Sequence, residues 1–121
     1  MSNPAAPHIP EDLLTALRGG NVAALGAALS NGLQEPALRL RPGLRDALAL
    51  GRSGLASARV HGALVSGSGP SCLFLCGSRA DAELVGRDLA EHGLGPVSAA
   101  PGPVAGARVV PAGEQAGGTG R

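Results

Sequence analysis

Gly62-Ala63-Leu64-Val65-Ser66-Gly67-Ser68-Gly69-Pro70-Ser71-Cys72-Leu73-Phe74-Leu75-Cys76 is the stretch whose reading decides the fold of this 121-residue chain. Two compact apolar runs flank a loop of small residues, so Val60 to Val65 and Cys72 to Cys76 read as two strands joined as a hairpin. The second run is apolar on both faces, which predicts an interior strand. Within Ser66 to Ser71 the glycines permit positive φ and close approach of another group, Pro70 fixes one φ, and three hydroxyls can donate or accept. Such a loop can hold an anion, and it can equally be a tight connection between two strands.

On the N-terminal side the period is helical. Residues 1–10 carry Pro4, Pro7 and Pro10 and little to bury, and read as an extended leader. Glu11 and Asp12 then open a first helix with Leu13, Leu14 and Leu17 as its apolar stripe, ended by Gly19-Gly20. Asn21 can cap a second helix, in which Val22, Leu25 and Leu29 share a face and Gly26 and Ala28 allow close packing. Ser30-Asn31-Gly32 breaks it. A short third helix is expected over Leu33 to Leu40, with Pro36 tolerable only near its start. A fourth spans Leu44 to Leu50, with Leu44, Ala47 and Leu48 inward, before a loop from Gly51 to Gly54.

On the C-terminal side Ser78 can cap a helix from Arg79 to about His92, with Ala82, Val85 and Leu89 on one face. Arg79–Glu83 and Arg87–Glu91 are candidate i,i+4 charge pairs. Val97 to Ala100 and Ala107 to Val110 are short strand candidates around Pro101-Gly102-Pro103. Residues 111–121 have nothing to bury and are expected to be disordered. The whole is an α+β chain with short helices packed on one face of a small antiparallel sheet, folded as one domain over residues 11–110.

Composition removes several chemistries. All ten basic residues are Arg and none is Lys, which excludes a Lys-dependent phosphate loop, a Schiff-base lysine and a catalytic Lys within these residues. A net charge of +1 with no Trp or Tyr argues against nucleic acid as a partner. Eighteen leucines and a single aromatic, Phe74, must build the core. Cys72 and Cys76, four apart on a strand, would lie about 13 Å apart and cannot bridge each other. With His8, His61 and His92 scattered, no zinc-like ligand set forms, so no metal site is expected, and both thiols read as small core side chains in a reducing cytoplasm. No apolar run reaches the roughly 20 residues of a spanning helix and no signal peptide is visible, so no membrane association is expected.

The loop fits neither common nucleotide template. A Walker loop needs a Lys after the glycines, and the dinucleotide fingerprint needs a third glycine and a following helix, whereas Ser66 to Ser71 leads into an apolar strand. Successive backbone N–H groups able to form an anion nest remain. No Ser–His–acid set or paired carboxylate stands out. His61 beside the hairpin is either a strand-edge residue or a base, and Arg59 either a solvated strand-end residue or a phosphate ligand.

The residues from Gly62 to Leu75 resemble the third conserved motif of the GHMP kinases, a family that includes galactokinase, homoserine kinase and mevalonate kinase. Within that family the chain is most similar to the kinases that act on diphosphocytidyl-methylerythritol in the non-mevalonate isoprenoid route. Leu29-Ser30-Asn31-Gly32-Leu33-Gln34-Glu35-Pro36-Ala37-Leu38 resembles their Asn-Asp-Leu-Glu/Gln segment, with Gly32 in place of the acidic residue, and Pro101 to Val110 resembles their C-terminal end. The resemblance implies a ferredoxin-like C-terminal domain of a two-domain enzyme. It implies further that an N-terminal domain supplies the glycine- and serine-rich ATP loop and the Lys and Asp that serve transfer to the substrate hydroxyl. ATP and Mg²⁺ would then be cofactors of the full-length enzyme, and none is expected for this chain alone. No catalytic residue carries over; Ser66, Gly67, Ser68, Gly69 and Pro70 carry over as the cleft-lining loop. A non-catalytic binding module of the same shape, or another GHMP kinase such as a homoserine kinase, are the alternatives.

Overall fold

The computed structural model describes residues 6–54 and 59–113. The chain runs through four short helices, α1 (Glu11–Gly19), α2 (Val22–Ala28), α3 (Gln34–Leu40) and α4 (Gly43–Ala49). It then enters the hairpin β1 (Val60–Val65) and β2 (Cys72–Cys76) and finishes with α5 (Arg79–Glu91). This is an α+β arrangement of five short helices and a two-stranded antiparallel sheet.

The helix starts follow their caps. The Asn21 side chain accepts from the Ala24 N–H at 3.0 Å, and the Ser78 hydroxyl accepts from the Asp81 N–H at 3.1 Å. Each gives one otherwise orphaned first-turn N–H a partner. Gly20, at φ +68°, closes α1. Pro36 sits at the third position of α3, where its missing N–H breaks no helical bond.

In the hairpin Ala63 faces Phe74 and Val65 faces Cys72. On that face Ala63 and Val65 join Ala37, Leu38 and Leu48 as the buried cluster, with Leu44, Cys72 and Phe74 packed against it. Each fully buried Leu or Val contributes roughly 1.5–3 kcal/mol of transfer free energy. The core therefore sits between the hairpin and the α3–α4 pair. It depends on close backbone contact, because large side chains are few. A Cβ placed on Gly62 would stand 2.6 Å from the Gly26 carbonyl oxygen, so α2 and β1 meet glycine to glycine. Gly51 is likewise buried, and a side chain there would enter the Phe74 ring.

Several expectations are corrected. Val97 to Ala100 and Ala107 to Val110 form no strands; Pro96 and Pro101 bound the first stretch and Pro111 ends the second, so neither can extend into a longer strand. Without them β2 pairs only with β1 among the described residues, and Leu73 is 46% exposed, so β2 is not an interior strand. Residues Leu50–Gly54 continue α4 as a π-helical turn instead of a loop, with Gly51 packed on Phe74. In α1 the buried residue is Ala16, and Leu17 is 56% exposed; a small residue lets α1 approach α2. Arg79 and Glu83 pair at 3.2 Å, whereas Arg87 and Glu91 form no ion pair. The leader expected over residues 1–10 is described only from residue 6, and the tail only to Gly113; the rest of both lies outside the described residues.

Candidate functional site

Antiparallel pairing decides how the glycine loop is presented. The Ser66 N–H donates to the Ser71 carbonyl at 2.8 Å, so Ser66 and Ser71 form a hydrogen-bonded pair. Bonding alternates along an antiparallel ladder, so the N–H and C=O of the preceding residue, Val65, point to the outer edge of β1. There they meet side chains from the α2–α3 region. The Val65 N–H donates to Gln34 Oε1 at 2.9 Å, and the Val65 carbonyl accepts from Asn31 Nδ2 at 2.7 Å. Two side chains thus take the place of a third strand at the last residue of β1.

Beyond Val65 the chain turns tightly. The Gly69 N–H donates to the Ser66 carbonyl at 3.0 Å, closing a four-residue turn. Gly67 and Gly69 hold φ of +57° and +81°, a region that favours glycine, and the Gly69–Pro70 peptide is cis. Gly69 is half-buried against the core: a Cβ there would lie 3.3 Å from Val65 Cγ1 and 3.6 Å from Leu44 Cδ1. Ser66, Gly67, Ser68, Pro70 and Ser71 are exposed.

Asn31 Nδ2 also donates to the Gly67 carbonyl at 2.7 Å. In a trans peptide the C=O and the following N–H point in opposite directions. The Gly67 carbonyl, turned toward Asn31, therefore turns the Ser68 N–H away from it. The N–H groups of Gly67 and Ser68 have no acceptor among the described residues. They are neighbouring donors on an exposed turn with no carboxylate in it.

The structure thus brings Ser66, Gly67, Ser68, Gly69 and Pro70 together as one turn, and leaves the other candidates apart. His61 lies at a bulge between Val60 and Gly62, at the far end of β1, about 13 Å along the strand from Val65. Arg59 is exposed at the same end. Cys72 and Cys76 are both free thiols. Burial pushes the Cys72 thiol above its ordinary value; burial, and then the Asp81 carboxylate, do the same for Cys76. Both remain protonated at neutral pH, which suits packing and not nucleophilic attack. Among the described residues no three His, Cys, Asp or Glu side chains gather as a metal-ligand group.

Between α3 and α4 a cleft of about 260 Å³ is lined by Gln34, Glu35, Leu38, Arg45 and Arg52. Arg45 and Glu35 stand 3.5 Å apart on its rim, each more than half exposed, so the pair adds little stability. The sequence marks Asn31 as a helix breaker and, with Gln34, as part of a segment resembling the family's Asn-Asp-Leu-Glu/Gln stretch, but it assigns neither residue a contact. Their partner Val65 is 34 and 31 residues away, and no local spacing announces such contacts.

Comparison with known proteins follows the same segment. The family model described as GHMP kinases C terminal matches residues 13–94. A kinase of Mycolicibacterium gilvum, 4-diphosphocytidyl-2-C-methyl-D-erythritol kinase, is 50% identical over 109 residues, covering 89% of this chain and 33% of the relative. Kinases of the same name from Rhodococcus jostii and Thermobifida fusca are each 46% identical, over 89% and 86% of this chain and 34% and 33% of their own lengths. The chain spans about a third of the length of the curated relatives it matches. No described helix is long and apolar enough to cross a membrane.

Proposed function

Because the chain belongs to the GHMP kinase family through its C-terminal domain, we propose that it is the C-terminal part of a 4-diphosphocytidyl-2-C-methyl-D-erythritol kinase. In this proposal residues 11–110 form the domain and Ser66 to Pro70 line the cleft in which a substrate hydroxyl is phosphorylated. The observation that carries it is the match to a kinase of this name over 89% of the chain, which includes a glycine loop with two adjacent N–H groups that have no acceptor among the described residues. Free thiols fit a cytoplasmic setting.

The chain's own residues define its share of the work. Phosphoryl transfer depends on positioning and on stabilising charge spread over the transferring oxygens. ATP, when bound, supplies the phosphoryl group. The Gly67 and Ser68 N–H groups fit an anionic oxygen, and the hydrogen bond from the Gly69 N–H to the Ser66 carbonyl closes the turn that carries them. The same loop does not fit Mg²⁺, which takes carboxylate and phosphate oxygens, because no acid lies between Ser66 and Ser71. The partner in this reading is an N-terminal domain that carries the ATP loop, the metal ligands and the base.

The test joins this chain to the remaining two thirds of the Mycolicibacterium gilvum kinase and follows ATP-dependent phosphorylation. The joined protein is expected to phosphorylate diphosphocytidyl-methylerythritol and not homoserine, and the chain alone to turn over neither. Preference for homoserine would move the chain to another kinase of the family. A folded joined protein without transfer to either substrate would leave a binding module and sink the proposal.

A further inference from the structure

We propose that Asn31 is the positioning residue of the glycine loop: it holds the carbonyls of Val65 and Gly67 and thereby aims the Ser68 N–H into the cleft. The inference rests on the reading that the loop lines the kinase cleft. Asn31 itself touches no ligand in it.

The carboxamide is fully engaged. Its two N–H protons serve the carbonyls of Val65 and Gly67, each at 2.7 Å, and its Oδ1 accepts from the Leu33 N–H at 3.1 Å. A carboxamide has two donors and one acceptor oxygen, so every polar atom has a use. The partners also fix its orientation. With N and O exchanged, an oxygen would face two carbonyls and an NH2 would face an N–H.

The two held carbonyls have separate consequences. Fixing the Val65 carbonyl outward leaves the Ser66 N–H inward, where it meets the Ser71 carbonyl and closes the hairpin. Fixing the Gly67 carbonyl, one residue into the turn, leaves the Ser68 N–H without a protein acceptor among the described residues. Gly67 is the flexible point, since a glycine at φ +57° has low barriers to peptide rotation. Without Asn31 the 67–68 peptide is free to flip and point a carbonyl oxygen where the donor should be. Gln34 secures the same strand end through the Val65 N–H but does not reach Gly67. Among the described residues only Asn31 spans both.

Aspartate at position 31 separates the two duties. Asn31→Asp keeps the Oδ1 acceptor for Leu33, and with it the local turn, but sets a carboxylate against two carbonyls. A residue needed only for the turn tolerates this change; one that aims the loop does not.

The test has two arms. In the isolated chain, NMR should detect cross-hydrogen-bond couplings from the Asn31 carboxamide to the Val65 and Gly67 carbonyls. In N31D the Gly67 and Ser68 amide signals should move while those of α5 stay in place. In the joined kinase N31D should lower kcat about 10- to 100-fold, the scale of a misplaced catalytic geometry, with a much smaller change in KM for ATP. Absent couplings in the unaltered chain would overturn the proposal, even if the variants fail to fold. So would an N31D enzyme with unchanged kcat, or a loss of kcat with loop amides unmoved. Inactivity of the unaltered joined protein counts against the kinase reading alone, and the couplings still decide whether Asn31 holds the loop.

Discussion

Replacing Gly26 by Ala puts one methyl group into the closest contact of the fold. The contact is backbone on backbone. A Cβ on Gly26 would meet the His61 carbonyl, and one on Gly62 would stand 2.8 Å from the Gly26 Cα. Neither neighbour is a flexible side-chain end, so α2 must move off β1 or bend. Inserting one carbon into a packed contact of this kind costs about 1–3 kcal/mol. Ala is the better helix former by up to about 1 kcal/mol, which offsets part of that cost. The net loss of about 1–2 kcal/mol lowers Tm by roughly 4–16 °C for a domain of this size. Gly43→Ala supplies the contrast. Gly43 opens α4 with nothing within 4 Å of its would-be Cβ and no positive φ, so the same substitution should leave Tm unchanged or raise it by a few degrees. Thermal melts followed by far-UV circular dichroism give both values, and G26A melting at or above the parent would refute the argument.

Leu48 is 2% exposed in the core, so Leu48→Ala should cost about 2–5 kcal/mol in urea unfolding, whereas Leu40→Ala, at 85% exposure, should cost little. Ser78→Ala removes the α5 cap and should cost about 1 kcal/mol in the same assay, with Ser78→Asp restoring most of it. The chain has no Lys or Tyr, so Cys72 and Cys76 are the side chains that titrate between about pH 9 and 11. Both thiols are raised above 9.0 when folded, so the unfolded chain loses these protons first. Their contribution is therefore complete below about pH 9 and is lost as pH rises beyond it. A double Cys→Ala variant should flatten the fall of Tm between about pH 9 and 11, and an unchanged slope would contradict the assignment.

The hairpin was legible because its signals are local. Val60 to Val65 and Cys72 to Cys76 are bounded by turn residues, and the observed strands have those bounds. Asn21 and Ser78 announced their helices in the same way, since a cap acts within three residues. Val97 to Val110 misled for the converse reason. Its β-branched residues suggest strands, but nothing local says whether a sheet edge is in reach. Leu17 misled because periodicity places a stripe without telling which side faces the neighbouring helix, and Ala16 took the buried position. The loop itself was readable as a tight turn. Its clamp was not, because Asn31 meets Gly67 across 36 residues, a pairing that exists only once α3 lies beside β1.

The most direct measurement is the response of the loop amides in the joined kinase when diphosphocytidyl-methylerythritol and a non-hydrolysable ATP analogue are added together. The Gly67 and Ser68 amide signals are predicted to shift most among the residues of this chain. Saturating ligands that leave both signals in place while others in the chain move would contradict the claim that this loop forms a wall of the cleft.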